Sequence, residues 1–128
     1  MAIIHPTLRS VYGTATTAEV TAGHIVIPAA AGRQYTVTDA WVKAAGTAAG
    51  ATSVDLTDET TIVAIFTAAG LVDATLLRAG TATTGVAANL LTALADDTPL
   101  YLKKVGAALT TTTAIEYMVD YVVTSTNA

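Results

Sequence analysis

The chain has 128 residues, which suits one domain with a single core, since half that length would bury too little of its own surface to stand alone. Apolar residues make up 52% and charged residues only 12%, mean hydropathy is +0.55, and Ala and Thr together supply about two residues in five. This composition excludes a disordered chain. The net charge of −4, with Lys and Arg scattered apart from Lys103 and Lys104, argues against nucleic acid as a partner. With no cysteine, disulfides, thiolate metal sites and thiol nucleophiles fall away.

Residues 1–23 mix breakers with small polar residues and predict an extended N-terminal arm, leaving 24–128 as a single β domain. The arm's Ile3, Ile4, Leu8, Val11 and Tyr12 are candidate interface residues, apolar enough to dock on the domain or on a neighbouring subunit. The N-terminus lacks the basic and long apolar regions of a signal peptide, and no apolar run has the length of a membrane span, so synthesis in the cytoplasm and no membrane contact are expected.

His24 to Pro28, with Ile25-Val26-Ile27, reads as the first firm strand, closed by the proline. Gln34 to Ala44 alternates with period two, placing Tyr35, Val37, Asp39, Trp41 and Lys43 on one face. Trp41 is expected to anchor the core, because so few aromatics are available to fill it. Thr52 to Thr57 and Thr61 to Thr67 form a hairpin across Asp58-Glu59-Thr60. Between Ala68 and Arg78 one or two helical turns fit, and Val86 to Leu94 is ambiguous between strand and helix. After the Asp96-Asp97-Thr98-Pro99 turn come strands over Leu100 to Val105 and Ala114 to Thr124, with Thr110 to Thr113 as a loop or lead-in. In the last strand Ile115, Tyr117, Val119, Tyr121 and Val123 share a face. The sum is an all-β fold, a jelly roll or β-sandwich/barrel of about seven or eight antiparallel strands.

The side chains that carry chemistry are sparse. His5 and His24 are far apart and without a motif, and read as surface or strand-edge residues. Asp55, Asp58 and Glu59 have the oxygen chemistry of a hard-cation site but lack the ligand count and glycine of a calcium loop; together with Asp96-Asp97 they read as solvated hairpin residues. None of Ser10, Ser53 or Ser125 sits in a nucleophile elbow. The Gly-rich stretches Gly46 to Gly50 and Gly80 to Gly85 lack the Lys-Ser/Thr ending of a phosphate loop. The expectation is therefore a structural or binding protein, with no catalytic residue, no metal and no cofactor. A surface of small uncharged side chains offers little repulsion against association, which points to life inside an assembly.

In the order Ile25-Val26-Ile27-Pro28, Gly32, Tyr35-Thr36-Val37, Gly50 to Leu56, and Thr113-Ala114-Ile115 through Val119-Asp120-Tyr121, the chain resembles tailed-bacteriophage capsid decoration, or cement, proteins with a jelly-roll-like β fold. That resemblance implies a virion protein on the outer capsid surface, bound to the major capsid protein as a homodimer or homotrimer and stabilising the head. Two other readings are a phage tail, neck or fibre subunit and a carbohydrate-binding β-sandwich module, the latter using Trp41 with a tyrosine as its platform.

Overall fold

The computed structural model describes residues 7–81 and 84–126. Nine strands build two antiparallel sheets that face each other as a β-sandwich. In chain order they are β1 (Thr7–Thr16), β2 (His24–Ile27), β3 (Arg33–Ala45), β4 (Ala49–Thr57), β5 (Ile62–Thr67), β6 (Leu76–Arg78), β7 (Gly85–Ala87), β8 (Leu100–Thr110) and β9 (Ala114–Ser125). The four-stranded sheet runs β1-β9-β3-β6 and the five-stranded sheet β2-β8-β4-β5-β7. Val54, Leu56, Phe66, Leu100 and Leu102 from one sheet meet Val37, Val42, Ile115 and Val119 from the other in a single apolar core. No helix among the described residues is long and apolar enough to cross a membrane.

Of the segment expected to be an extended arm, residues 7–23 are part of the sandwich and residues 1–6 lie outside the described residues. From Thr7 to Thr16 it is extended and pairs with β9 in unbroken register, Thr7 opposite Val123 through to Thr16 opposite Ala114. It then turns helical in α1 (Thr17–Ala22), which a sequence of breakers did not suggest. Thr16 caps this helix by accepting from the Glu19 amide, while the Glu19 carboxylate accepts from the Thr16 amide at 3.0 Å. Val20 plugs the core from the helix, and Gly23, at φ 100°, ends it and swings the chain across to the other sheet.

Two further departures from the expected strands have local causes. β3 carries a bulge between Val37 and Asp39, so the inward set is Tyr35 and Val37, then Ala40, Val42 and Ala44. Trp41 is thereby turned to the outside of its sheet and is no core anchor. β8 runs past Val105 to Thr110 because Gly106 adopts φ 87°, absorbing irregular pairing with β4 where a side-chain-bearing residue would strain.

The weakly patterned middle of the chain is mostly irregular. Ala68–Gly70 is a single 3-10 turn, and only Leu76–Arg78 and Gly85–Ala87 are strands. Leu91, at φ 65°, redirects the chain so that Leu94 enters the core. The amides of Leu91, Leu94 and Asp97 donate to the carbonyls of Val37, Tyr35 and Arg33, closing the part of the β3 edge that short β6 leaves open.

Candidate functional site

The most distinctive surface is the outward face of the four-stranded sheet. Cross-strand register brings Tyr12, Met118, Trp41 and Arg78 into one row across β1, β9, β3 and β6. Above and below it lie Leu8 beside Val122, and Leu76 beside Lys43. Leu8 is 71% exposed, Tyr12 63% and Leu76 55%, an unusual exposure for large apolar side chains on one sheet face. The Tyr12 and Trp41 rings meet edge to face, centroids 6.0 Å apart at 65°.

Polar groups on this face are held in pairs. Tyr12 donates to the Glu116 carboxylate, an interaction that raises the phenol pKa, and Ser10 donates to Asp120 at 2.5 Å. Arg78 makes a two-point bond to Asp39, at 3.0 Å from Nε and 2.9 Å from Nη2, which lifts its own pKa. The acids are thus tied down, which keeps the aromatic row flanked by fixed rather than mobile charge.

Of the five predicted interface residues, Leu8 and Tyr12 lie on this face. Val11, on alternate parity, turns inward and packs against the core. Ile3 and Ile4 lie outside the described residues. Met118 and Leu76 belong to the surface and were not assigned to it from sequence, and Trp41, expected in the core, was placed on a surface only in the carbohydrate-binding reading; period-two alternation carries no sign of the bulge that turns Trp41 outward.

The outward face of the five-stranded sheet also exposes apolar side chains, Ile25, Ile62, Val86 and Val105, but interleaves them with charge and, among the described residues, presents no aromatic pair. An open groove of about 450 Å³ there is lined by Asp55, Thr57, Glu59, Ile62, Lys103 and Val105. The expected solvated acidic turn is only partly so. Asp55 lies within β4, 5% exposed, its carboxylate accepting from Ser53 Oγ at 2.7 Å, and burial pushes its pKa up despite that bond. Asp58, also 5% exposed, spends its Oδ1 on the amides of Thr60 and Thr61 to shape the hairpin. Glu59 alone reaches solvent, pairing with Lys103 at 2.8 Å. The three carboxylates therefore do not converge, and among the described residues no group of three or more metal-ligating side chains does.

His24 has acquired partners that its sequence context did not announce. Its Nε2 lies 2.8 Å from Tyr117 Oη and its Nδ1 3.3 Å from Glu19. Tyr117 is raised in pKa by burial first and by the Glu19 charge second; Glu19 is lowered, chiefly by its bond to the Thr16 backbone. The chain Glu19–His24–Tyr117 ties the capped helix to β2 and to β9 of the opposite sheet. Its members serve as a clamp: Gly13 packs so closely that a Cβ there would sit 2.5 Å from the Tyr117 oxygen.

Comparison with protein-family models, with curated proteins and with solved structures gave no match.

Proposed function

We propose that this chain is a structural virion subunit, a capsid decoration protein that binds the outside of a phage head. The observation that carries the reading is the outward face of the four-stranded sheet, where Leu8, Tyr12, Trp41 and Leu76 stand with little net charge around them. Apolar surface of this kind marks a contact that another protein covers. Cementing needs many modest contacts repeated by symmetry, each of about 800 Å² per partner, rather than one deep pocket. Small Ala and Thr side chains lose little entropy when such a contact forms. The partners are the major capsid protein and further copies of the chain.

Quantitative mass spectrometry of intact particles tests this directly. A copy number in fixed proportion to the shell protein is expected, and a few copies per particle would move the protein to the tail, neck or fibre. The pairing of Tyr12 with Trp41 favours one other reading, a carbohydrate-binding face, since aromatic side chains on an open sheet take sugar rings. Their 65° inclination gives no common plane for stacking, which is why it ranks second. Glycan binding lost in Trp41→Ala with the fold intact would reverse that ranking.

A further inference from the structure

The four sheet edges of this sandwich are unequal. β2 is four residues long, and β6 and β7 three each, lengths that leave little backbone for another chain to pair with. What β6 leaves uncovered on β3 is closed by the backbone bonds from Leu91, Leu94 and Asp97. The fourth edge is β1, ten residues long. Its register with β9 contains no bulge, its sequence contains neither Pro nor Lys, and Arg9 is its only charge. Among the described residues, no chain segment pairs with its far side. Shortness or backbone cover blunts three of the edges, whereas β1 carries one such device alone, the charge of Arg9 near its start.

We infer that β1 is a self-pairing edge: in solution it hydrogen-bonds antiparallel to β1 of a second copy, across a two-fold axis perpendicular to the sheet, joining the two four-stranded sheets into one. A second copy fits this edge for three reasons. An antiparallel pair of identical strands satisfies both free edges with one symmetric contact, so no edge is left over to propagate. Side chains directly opposite each other in an antiparallel pair lie on the same face, so the inward set Arg9, Val11, Gly13 and Ala15 must meet its own counterpart. That parity leaves two registers of near-complete overlap. One pairs Thr7 to Ala15 about Val11, the other Leu8 to Thr16 about Tyr12. Third, both registers are chemically compatible: Arg9 meets Gly13 or Ala15 rather than another charge, and exposed Leu8 and Tyr12 gain apolar or hydroxyl neighbours on the outer face.

The inference deepens the reading of the chain as an assembly subunit and rests on that reading, yet the two fail separately. The chain contains no cysteine, so single substitutions Ser10→Cys, Val11→Cys, Tyr12→Cys and Thr14→Cys on the full chain report contacts between copies without interference. Opposed Cα atoms in an antiparallel pair are about 4.5–5.5 Å apart, within disulfide reach. The expected result is a dimeric mass for the unsubstituted protein, with oxidative cross-linking dominant at Val11 or at Tyr12 and weak at Ser10 and Thr14 alone. Mixing Ser10→Cys with Tyr12→Cys, or with Thr14→Cys, restores it in the first or second register respectively. A monomeric mass at high concentration, or a larger mass with no cross-link along β1, overturns the pairing. Binding to phage heads is measured on the unsubstituted protein: a monomer that binds overturns the pairing and keeps the decoration reading, whereas a dimer whose pairing the cross-links establish and that does not bind keeps the pairing and overturns the decoration reading.

Discussion

The two sheets of the sandwich share one core and differ in their edges and in how their outward faces mix charge, aromatic rings and aliphatic side chains. The five-stranded sheet ends in strands of three and four residues and turns Asp55, Thr57 and Lys103 outward among the exposed Ile25, Ile62, Val86 and Val105, with Glu59 of the adjoining turn paired to Lys103. The four-stranded sheet turns Tyr12, Trp41 and Leu76 outward and ends on one side in the long, regular β1. Inner faces decide whether the chain folds, while outer faces and edges decide what it meets. The same period-two alternation specifies both, so a hydrophobic side chain gains its role from the register that places it.

The largest test of that division lies in the core. Phe66→Ala removes a fully buried ring between the sheets and is expected to cost about 3–5 kcal/mol in unfolding free energy, read by denaturant titration. Trp41→Ala deletes a bigger side chain from the outward face and is expected to cost far less, about 1 kcal/mol. Equal losses would mean that the bulge in β3 does not set the face of Trp41.

Next in size is the approach of β1 to β9. Gly13→Ala drives a methyl group into the Tyr117 hydroxyl, which His24 holds in place, and should destabilise by about 1–3 kcal/mol. In a Tyr117→Phe background that penalty should shrink without vanishing, since the oxygen at 2.5 Å is gone while the ring carbon at 2.8 Å remains, and a double-mutant cycle measures the difference. Strict additivity would mean that the hydroxyl is not the group the methyl meets. The N-cap comes third: Thr16→Ala leaves the Glu19 amide without its acceptor, with an expected loss of about 1 kcal/mol.

The smallest effect concerns Asp55 on the outer face of the five-stranded sheet. Asp55 has its pKa raised by burial in the folded chain, so the folded state holds its proton more tightly than the unfolded state does. Stability attributable to this group therefore falls as pH rises through the ordinary carboxylate range towards the folded value, and is restored in acid. Asp55→Asn should stabilise modestly at neutral pH, and the advantage should vanish below the ordinary carboxylate range. A gain independent of pH would remove the ionisation argument.

How legible each region was follows from how local its cause is. β9 could be read residue by residue, because Ile115, Tyr117, Val119 and Tyr121 alternate without interruption and face one core. The hairpin of β4 and β5 was equally clear, as its turn residues adjoin its strands. β3 was legible as a strand but not in its faces, since one inserted residue at Thr38 inverts the second half and leaves no mark in composition. β1 was obscured for another reason: its strand character comes from pairing with residues more than a hundred positions away. The apolar residues of that segment were legible as contacts, and the pairing then sorts Leu8 and Tyr12 outward from Val11 inward. The clamp of Glu19, His24 and Tyr117 had no sequence signal, because only the closed sandwich brings its members together.

The most direct test of the central claim, that the four-stranded sheet carries the assembly surface, is amide hydrogen exchange compared between dilute protein and the assembled state. The account predicts added protection concentrated on Thr7 to Thr16, with Gly85 to Ala87 at the far edge of the other sheet unchanged. Protection that spares β1 and falls on the five-stranded sheet would contradict it.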